Sequence, residues 1–378
     1  MKPAGIYIHI PFCRARCSYC DFATGPYESA LAKRYVRAVT TEIRDFQLPA
    51  GRLEADTIYF GGGTPSLLKP AQVGAILEAI HARFRVRFDA EVTMEMNPGT
   101  LTSGALREFR ALGVNRASYG AQTFDDAELK RLGRTHTAED VRRTLMLLRE
   151  AGFTNVSFDL IAGLPSQTVD TWSRNLDEAL ALGPEHISFY LLEVHEGTPL
   201  ADQIRRGAQP SPDDDLAAEM YRTMIDRASA AGYEHYEISN LCRPGYHSRH
   251  NTKYWTADAV FGFGSSAHSY DGARRRWSNE RDAARYTMLI EQERTAVVET
   301  IELDEQAARA ESIFLGLRLM RGVNLKEYRA RFGLDLRDEY AADLERLSDA
   351  GLITFDSDLM RLTAAGALLS NEVFATFV

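Results

Sequence analysis

The sequence lacks the features that define several large classes of protein. No apolar run approaches the length of a membrane-spanning helix. Basic residues do not dominate, since 44 Lys and Arg stand against 53 Asp and Glu; the formal net charge of -9 argues against nonspecific nucleic-acid binding. The basic run Arg274–Arg276 is interpreted as solvated surface. Because the first residues lead directly into a predicted strand and leave no room for a signal peptide, we expect a cytoplasmic protein.

Cysteine is scarce, and most of it is crowded into one place. Only four cysteines occur, and Cys13, Cys17 and Cys20 lie directly after the apolar run Ile6–Phe12. The fourth, Cys242, is distant in sequence, so a disulfide framework is not expected. Spacings of three and then two intervening residues let one tight loop present three thiolates to one metal centre.

Three interpretations fit these closely spaced cysteines. Zinc requires a fourth ligand, for which Asp21 and His9 are candidates, but structural zinc sites usually pair two Cys-x-x-Cys elements and the sequence has no second pair. A four-iron cluster held by three thiolates keeps one iron free of protein ligands, which is the open position that chemistry at a metal requires. Buried, inert cysteines are the third alternative. The spacing favours the iron-sulfur cluster.

Short β-branched or aromatic runs alternate with longer amphipathic runs along the chain. The first three predicted pairs of strand and helix are Ile6–Ile10 with Ser29–Phe46, Asp56–Phe60 with Pro70–Phe84, and Glu91–Glu95 with Thr102–Leu112. Three further strands, each followed by a helical pattern, are Asn115–Tyr119, Asn155–Leu160 and His186–Leu191. Strand-helix units in series predict an α/β fold with a parallel sheet, whose site lies at the carboxyl ends of its strands.

Glycine-rich or polar positions follow several of these strands. The second strand leads into Gly61-Gly62-Gly63-Thr64-Pro65, where the backbone can approach a ligand closely and offer free amide groups. Later strand ends carry Glu95, Gln122 with Arg134, and Asp159. Each of these taken singly also fits a flexible turn or an ordinary loop-facing group. Their recurrence at one edge of the sheet predicts a pocket.

The pattern Cys-x3-Cys-x2-Cys after a first strand, with Gly-Gly-Gly-Thr-Pro after the second, resembles the radical S-adenosylmethionine (SAM) superfamily and its partial (βα)6 barrel. The resemblance implies that Cys13, Cys17 and Cys20 hold a [4Fe-4S] cluster. It also implies that SAM chelates the unique iron and that the reduced cluster cleaves SAM to a 5'-deoxyadenosyl radical. The SAM contacts that it implies are Tyr7, Tyr19, Gly62, Gly63, Thr64, Glu95, Gln122, Arg134 and Asp159.

Within the superfamily, Tyr7–Cys13 and Gly61–Pro65 look like the oxygen-independent coproporphyrinogen III oxidase group and its relatives. The oxidase pattern continues as Cys-x-Cys, whereas Phe22 stands at that position here, and only six residues precede Tyr7 where the oxidase carries a long extension. The hexapeptide 250–255, His-Asn-Thr-Lys-Tyr-Trp, is instead similar to the His-Asn-x-x-Tyr-Trp signature of the radical SAM haem chaperones, the HemW family.

The residue types of this hexapeptide suit a porphyrin. Histidine is a common axial ligand of haem iron, tyrosine can be one, and aromatic rings can cover a porphyrin face. A histidine among aromatic residues is nevertheless more often simply packed or hydrogen-bonded. The resemblance implies haem contacts from His250, Asn251, Tyr254 and Trp255. Further candidates are Tyr246, His247, and His268 in the glycine-rich stretch Gly262–Tyr270, which resembles a segment that closes the cofactor pocket in this group.

The resemblance implies a haem chaperone that binds a [4Fe-4S] cluster, SAM and haem and delivers the haem to acceptor haemoproteins. Membrane-bound respiratory enzymes are the expected acceptors, dimerisation on haem loading is expected, and no nucleic acid is involved. Two alternatives stay open. One is an oxygen-independent coproporphyrinogen III oxidase, and the other is a radical SAM enzyme that acts on an unrelated substrate.

Three domains are predicted: a core barrel over residues 1–210, an extension with the hexapeptide over 211–300, and a C-terminal domain over 301–378. A proline and acid hinge, Pro210–Asp215, separates the first two. The last is predicted to be helical and winged-helix-like, with helices Asp304–Met320, Asn324–Phe332 and Leu336–Ala350 before a hairpin of Leu352–Phe355 and Leu359–Leu362. This domain is acidic, with nine Lys and Arg against thirteen Asp and Glu after residue 302. That charge balance favours a lid or a protein-docking module over a DNA-binding domain.

Overall fold

Strands and helices alternate through the first half of the computed structural model, which describes residues 2–47 and 53–378. In chain order the elements are β1 (Ala4–Ile10), β2 (Phe12–Cys13), β3 (Gly25–Pro26), α1 (Ser29–Asp45), β4 (Glu54–Gly62), α2 (Pro70–Arg83), β5 (Arg85–Met96), α3 (Ser103–Ala111), β6 (Arg116–Gln122), α4 (Asp126–Arg131), α5 (Ala138–Glu150), β7 (Val156–Ala162), α6 (Val169–Leu182), β8 (His186–Leu191) and α7 (Pro199–Arg205).

Six of these strands form the predicted parallel sheet. Strands β1, β4, β5, β6, β7 and β8 pair in that order, each parallel to the next. The prediction of a partial (βα)6 arrangement is confirmed. Strand β1 pairs on its other side with a later strand of the chain, and β8 does the same, so the two do not pair with each other and the barrel stays open.

The sheet continues on both sides with strands from residues 210–303. The elements of this part are α8 (Asp214–Ala230), β9 (Glu234–Glu237), β10 (Asn240–Cys242), α9 (Arg249–Trp255), β11 (Val260–Phe263), β12 (His268–Tyr270), β13 (Arg275–Asn279), α10 (Ala283–Glu293) and β14 (Val297–Glu302). Strands β9 and β10 extend the β8 edge, and β11 to β14 extend the β1 edge, which makes a sheet of twelve strands. These short strands were not predicted, because they are stabilised by pairing with distant segments rather than by their own pattern.

A second, smaller fold unit closes the chain. Its elements are α11 (Glu305–Arg318), β15 (Val323–Asn324), α12 (Leu325–Phe332), α13 (Leu336–Glu339), α14 (Ala341–Asp349), β16 (Ile353–Asp356), β17 (Leu359–Leu362), α15 (Ala364–Leu368) and α16 (Ser370–Ala375). The winged-helix-like prediction is confirmed, with a three-stranded sheet in the order β15-β17-β16. The prediction of a single helix over Leu336–Ala350 is wrong. Tyr340 leaves the helical backbone and packs its ring against Phe377.

Apolar side chains form separate clusters in the two units. The larger cluster lies between the long sheet and its helices, and includes Ile58 and Phe60 of β4 with Met94 of β5. The smaller one lies within residues 313–377. In β4 the alternate residues Thr57 and Tyr59 make polar contacts instead, because successive side chains of a strand point to opposite faces. No helix in the described part of the chain is long and apolar enough to span a bilayer.

Candidate functional site

The inner face of the six parallel strands is polar. Several residues on this face carry polar or ionisable side chains that meet one another across the interior. The contacts join Tyr59 to Glu95, Ser118 to Asp159, Ser157 to His186, and Thr57 to His250. Polar groups inside a protein are costly unless they are paired, and these contacts pair them. A lining of this kind suits polar ligands.

Contacts from three directions hold the cysteine loop. The backbone of Ser18 donates to Leu132 O at 3.0 Å and accepts from the Leu200 N–H at 2.9 Å. The Thr64 hydroxyl donates to Cys13 Sγ at 3.7 Å, and an Arg134 guanidinium N–H donates to Cys17 Sγ at 3.4 Å. Burial raises the pKa of the Cys13 thiol, and the Thr64 hydrogen bond opposes that rise.

The sulfurs of the three loop thiols do not all lie within 4.8 Å of one another. Among the described residues, the one group of three metal-ligating side chains within 4.8 Å of one another lies elsewhere in the fold and contains none of these cysteines. Sulfur ligands of one tetrahedral zinc ion lie about 3.8 Å apart. The zinc candidate His9 has both ring nitrogens engaged, with the Tyr7 hydroxyl and with Ala23 O. The geometry therefore disfavours the zinc alternative.

Two glycines are required where the β4 segment passes the loop. Gly62 has φ +110, and a Cβ there would lie 2.6 Å from the His9 ring. A Cβ on Gly63 would lie 2.7 Å from Phe12 O and 3.0 Å from Cys13 Sγ, while its N–H donates to Ile10 O at 2.8 Å. The close approach of this backbone is thus explained by contact with β1 and with the start of the thiol loop.

Glu95 is a partly buried carboxyl beside this glycine segment. It accepts hydrogen bonds from the Tyr59 hydroxyl at 2.8 Å and from the Gly62 N–H at 3.0 Å. Burial and the neighbouring charge of Asp159 raise the pKa of Glu95 to about 7, and the two hydrogen bonds oppose the shift only in part. The group therefore changes charge near neutral pH.

Gln122, Arg134 and Asp159 lie near one another, as predicted from their order along the strands. Arg134 donates to Gly120 O at 2.8 Å and to the Asn97 side chain. Gln122 has φ +64, and its buried Oε1 has no hydrogen-bond partner. Burial raises the pKa of Asp159, which accepts a hydrogen bond from Ser118. An unpaired buried amide oxygen is costly unless a ligand supplies a donor.

Tyr19 contributes mainly an apolar surface. It packs against a small cluster of Leu132, Ile161 and Leu164 beside the cysteine loop. Three residues further on, Phe22 is 63% exposed. The loop that carries the three thiols therefore has one aromatic side chain turned inward and another turned to solvent.

The hexapeptide lies on α9, at the opposite end of the barrel interior from the cysteine loop. Its residue His250 is only 1% exposed. Its Nδ1 hydrogen-bonds the Thr57 hydroxyl at 2.9 Å, and its Nε2 hydrogen-bonds the Tyr254 hydroxyl at 3.2 Å. Burial, with the charges of Lys253 and Arg116, lowers the pKa of His250 to about 3, so the ring is neutral at physiological pH.

The other residues of the hexapeptide have different surroundings. Tyr254 is 37% exposed, and Trp255 is covered by the guanidinium of Arg318 at 4.2 Å from the ring. The Asn251 backbone N–H donates to Ser248, the N-cap of α9, at 3.3 Å. The remaining candidates lie outside this cluster, since His247 is near Glu234 and His268 is exposed on β12.

Sequence reasoning missed several residues of this interior. Tyr59 stacks on His250 with ring centroids 5.1 Å apart, and Glu91 accepts from the backbone N–H groups of Arg249 and His250. Arg116 is 1% exposed, and its charge opposes the raised pKa of both Glu95 and Asp159. The available signal was the period of two along β4 to β6, where polar residues alternate with apolar ones inside buried strands.

Comparison with known proteins first defines the class of this fold and site. Residues 7–179 match the family model of the radical SAM superfamily, and residues 303–369 match that of the HemN C-terminal domain. The solved structure of Escherichia coli coproporphyrinogen III oxidase (HemN), described as a radical SAM enzyme, is 25% identical with a TM-score of 0.85. That match covers 99% of this chain and 90% of the oxidase.

Several relatives are similar over the full length of the chain. The heme chaperone HemW of Bacillus subtilis is 36% identical over 100% of this chain and 99% of the relative, and that of Escherichia coli K12 is 31% identical over 100% and 99%. A mouse mitochondrial radical S-adenosyl methionine domain-containing protein 1 is 34% identical over 99% and 87%. The chain belongs to the HemW family.

The superfamily implies a [4Fe-4S] cluster and SAM, and the residues present fit both. Cys13, Cys17 and Cys20 offer three free thiols on one loop. The unpaired Gln122 Oε1 and the Glu95 carboxyl supply polar groups for a ligand with amino and hydroxyl groups. When bound, the cluster would supply an electron to SAM, and the three thiols would hold the cluster while Glu95 and Gln122 would face the SAM.

Proposed function

We propose that this protein binds haem and transfers it to acceptor haemoproteins, with Cys13, Cys17 and Cys20 holding a [4Fe-4S] cluster next to SAM. The observation that carries the proposal is the hexapeptide 250–255 on α9, in a chain that matches curated heme chaperones from end to end. The SAM contacts of the proposal are Tyr7, Tyr19, Gly62, Gly63, Thr64, Glu95, Gln122, Arg134 and Asp159.

His250 is the proposed axial ligand of the haem iron. A neutral imidazole is the form that ligates a metal, and the lowered pKa of His250 keeps the ring neutral. Its Nε2 is engaged by the Tyr254 hydroxyl, so iron binding at this nitrogen requires that hydroxyl to move away. Tyr254 is partly exposed and therefore has room to move, and its ring, with Trp255 and Asn251, borders the proposed haem site.

The haem and SAM regions of the proposal share one barrel interior. The His250 ring stacks on Tyr59, whose hydroxyl donates to Glu95, and Glu95 in turn accepts from the Gly62 N–H. This path of three contacts supports coupling between the two cofactor sites, because a shift of Tyr59 changes the surroundings of both His250 and Glu95.

The first experiment compares haem spectra of the anaerobically reconstituted protein and its His250→Ala variant. We expect a shifted Soret band in the wild type that is lost in His250→Ala and kept in the control His81→Ala, an exposed histidine on α2. In Tyr254→Phe we expect haem affinity to rise by up to about tenfold, since one neutral hydrogen bond to Nε2 is removed while the ring stays. Unchanged haem binding in His250→Ala would refute this ligand assignment.

The oxidase alternative is supported by the high structural similarity to coproporphyrinogen III oxidase. Product analysis with coproporphyrinogen III, reduced cluster and SAM separates the two functions, because the oxidase removes carboxyl groups and a chaperone leaves the porphyrin unchanged. A changed porphyrin with no haem band would support the oxidase and contradict the chaperone proposal. If neither haem binding nor a changed porphyrin were observed, a radical SAM enzyme with another substrate would be favoured.

The proposed acceptors include membrane-bound respiratory enzymes, and dimerisation on haem loading is part of the same proposal. Size-exclusion chromatography with and without one equivalent of haem tests the second point. A haem-dependent shift to twice the monomer mass supports it, and an unchanged elution volume contradicts it.

A further inference from the structure

A second group of metal-ligating side chains lies outside the proposed cofactor sites. Glu234, Cys242 and His247 each offer one ligand atom, and the three atoms lie within 4.8 Å of one another. The group is a carboxylate oxygen, a sulfur and an imidazole nitrogen, which is a set that zinc accepts and that the oxygen-seeking ions magnesium and calcium do not.

The local sequence explains why these residues meet. Glu234 on β9 and Cys242 on β10 are direct partners across an antiparallel ladder. The chain then reverses through Arg243-Pro244-Gly245-Tyr246, where the Tyr246 N–H donates to Arg243 O at 3.0 Å and Gly245 has φ +85. Proline followed by a glycine of positive φ is the signature of a type II turn, and this turn returns His247 to Cys242.

Neighbouring contacts hold this arrangement in place. The edge of the Tyr236 ring packs on His247 with centroids 4.6 Å apart, and the Tyr236 hydroxyl hydrogen-bonds His186 at 2.8 Å. Cys242 is fully buried on β10, which pairs with both β8 and β9. Two of the three ligands therefore lie on paired strands and the third on a tight turn, and such a rigid frame suits a metal site.

The distance between two of the three ligand atoms matches a tetrahedral ion. His247 Nε2 and Glu234 Oε2 are 3.4 Å apart, which is longer than a good N–H···O hydrogen bond. Ligands at zinc bond lengths of about 2.05 Å and a tetrahedral angle lie about 3.4 Å apart, so the pair already has the separation that one ion would impose. Both side chains also border a cavity of about 640 Å³, which leaves space for a fourth ligand.

We propose that Glu234, Cys242 and His247 form a binding site for a single zinc-type divalent ion, with a fourth position open to the adjoining cavity. The ion would tie the β9–β10 hairpin to the turn that leads into α9. His247 directly precedes Ser248, the N-cap of α9, and lies three residues before His250. The site therefore lies next to the proposed haem helix without being part of its ligand set.

The test uses the full-length chain with Cys13→Ser, Cys17→Ser and Cys20→Ser, in which Cys242 is the only thiol left. In an anaerobic titration with Co²⁺ as a coloured substitute for zinc, we expect saturation at one equivalent, tetrahedral visible absorption and a thiolate-to-cobalt band in the near ultraviolet. Added Zn²⁺ should remove the colour. Far-ultraviolet circular dichroism establishes that each variant is folded before it is titrated.

Four further variants in this background decide the ligand set. Cys242→Ser should abolish the near-ultraviolet band, and Glu234→Gln and His247→Gln should each weaken Co²⁺ binding by at least about tenfold. The matched control is His235→Gln on the same hairpin, whose ring bonds Ile238 O and lies outside the group; it should bind like its parent. No band at one equivalent, or equal loss in His235→Gln and His247→Gln, would overturn the proposal.

A second measurement uses the wild type with its cluster reconstituted. After incubation with zinc and gel filtration, elemental analysis should find one zinc per chain in the wild type and none in Cys242→Ser, with equal iron in both. Equal zinc in the two proteins would contradict the site, whatever the outcome of the haem experiments.

Discussion

At the residue scale, burial acts in opposite directions on the two titratable groups that flank Tyr59. It raises the pKa of Glu95 to about 7 and lowers the pKa of His250 to about 3, because a low-dielectric interior disfavours a charge of either sign. The result is a histidine that stays neutral over the physiological range and a carboxyl that titrates within it. The first property suits a metal ligand, and the second makes ligand binding depend on pH.

Glu95 leads to a prediction about SAM binding. SAM carries a sulfonium cation, and an ionised Glu95 favours a cation more than a neutral carboxyl does. We therefore expect SAM affinity to rise between pH 6 and pH 8, by at most about tenfold per pH unit, and to lose this slope in Glu95→Gln. Isothermal titration calorimetry of the reconstituted protein across this range measures the effect, and the same slope in both proteins would contradict it.

Unfolding provides an independent check on the same pKa. Since the pKa of Glu95 is raised in the folded state, that state binds more protons than the unfolded chain between the usual pKa of glutamate and 7. The free energy of unfolding of the SAM-free protein should therefore fall as the pH rises through this window, and the contribution of Glu95 to the fall should be missing in Glu95→Gln.

At the element scale, the alternation of polar and apolar residues along the parallel strands lets one sheet serve two purposes. One face joins the helices in an apolar core, and the other lines the interior with hydrogen-bonding groups. Helix α9 has seven residues, too few to be stable by propensity alone. Its start is instead held by Ser248 and by the carboxylate of Glu91 on β5.

Glu91 leads to a prediction about this helix. Its carboxylate accepts two hydrogen bonds at 3.1 Å, from the N–H groups of Arg249 and His250, and complements the positive end of the helix dipole. We expect Glu91→Ala to lower the free energy of unfolding by about 2 kcal/mol and to weaken haem binding. Glu91→Gln keeps one acceptor oxygen, so we expect a smaller decrease in the free energy of unfolding.

Urea denaturation measures both variants. The control is Glu108→Ala, an exposed glutamate on α3, for which we expect a change within about 0.5 kcal/mol. If Glu91→Ala changed stability no more than this control, the carboxylate would not be what holds the start of α9.

At the scale of the whole molecule, a polar contact joins the two units, in addition to the small apolar cluster of Tyr270, Leu303 and Ala308. Arg318, at the end of α11, lies over the Trp255 ring and 3.7 Å from the fully buried Glu237, and its carbonyl accepts from the Ile238 N–H. This contact ties the C-terminal unit to β9 and to α9, so a change in the C-terminal unit reaches the proposed haem region directly.

Arg318 leads to a prediction about the stability of the whole chain. Arg318→Ala leaves Glu237 buried without its cation and uncovers Trp255, and we expect a loss of about 1–3 kcal/mol in the free energy of unfolding. Arg346→Ala on α14 removes an exposed arginine with a local ion pair to Asp343 and serves as the control, with an expected change below about 1 kcal/mol. Equal effects in urea denaturation would show that the buried contact does not join the two units.

The sequence by itself determined the class of site and the order of its parts. Crowded thiols followed by a glycine segment and by polar strand ends are local patterns, and parallel strands bring their carboxyl ends together, so the meeting of these residues at one edge of the sheet followed from the chain. Tertiary structure alone decided that Thr57 and Tyr254 engage both nitrogens of His250, that β9 to β14 extend the sheet, and that Cys242 meets Glu234 and His247. These contacts join short or distant segments through strand pairing and turns, and no periodicity within a single segment encodes them.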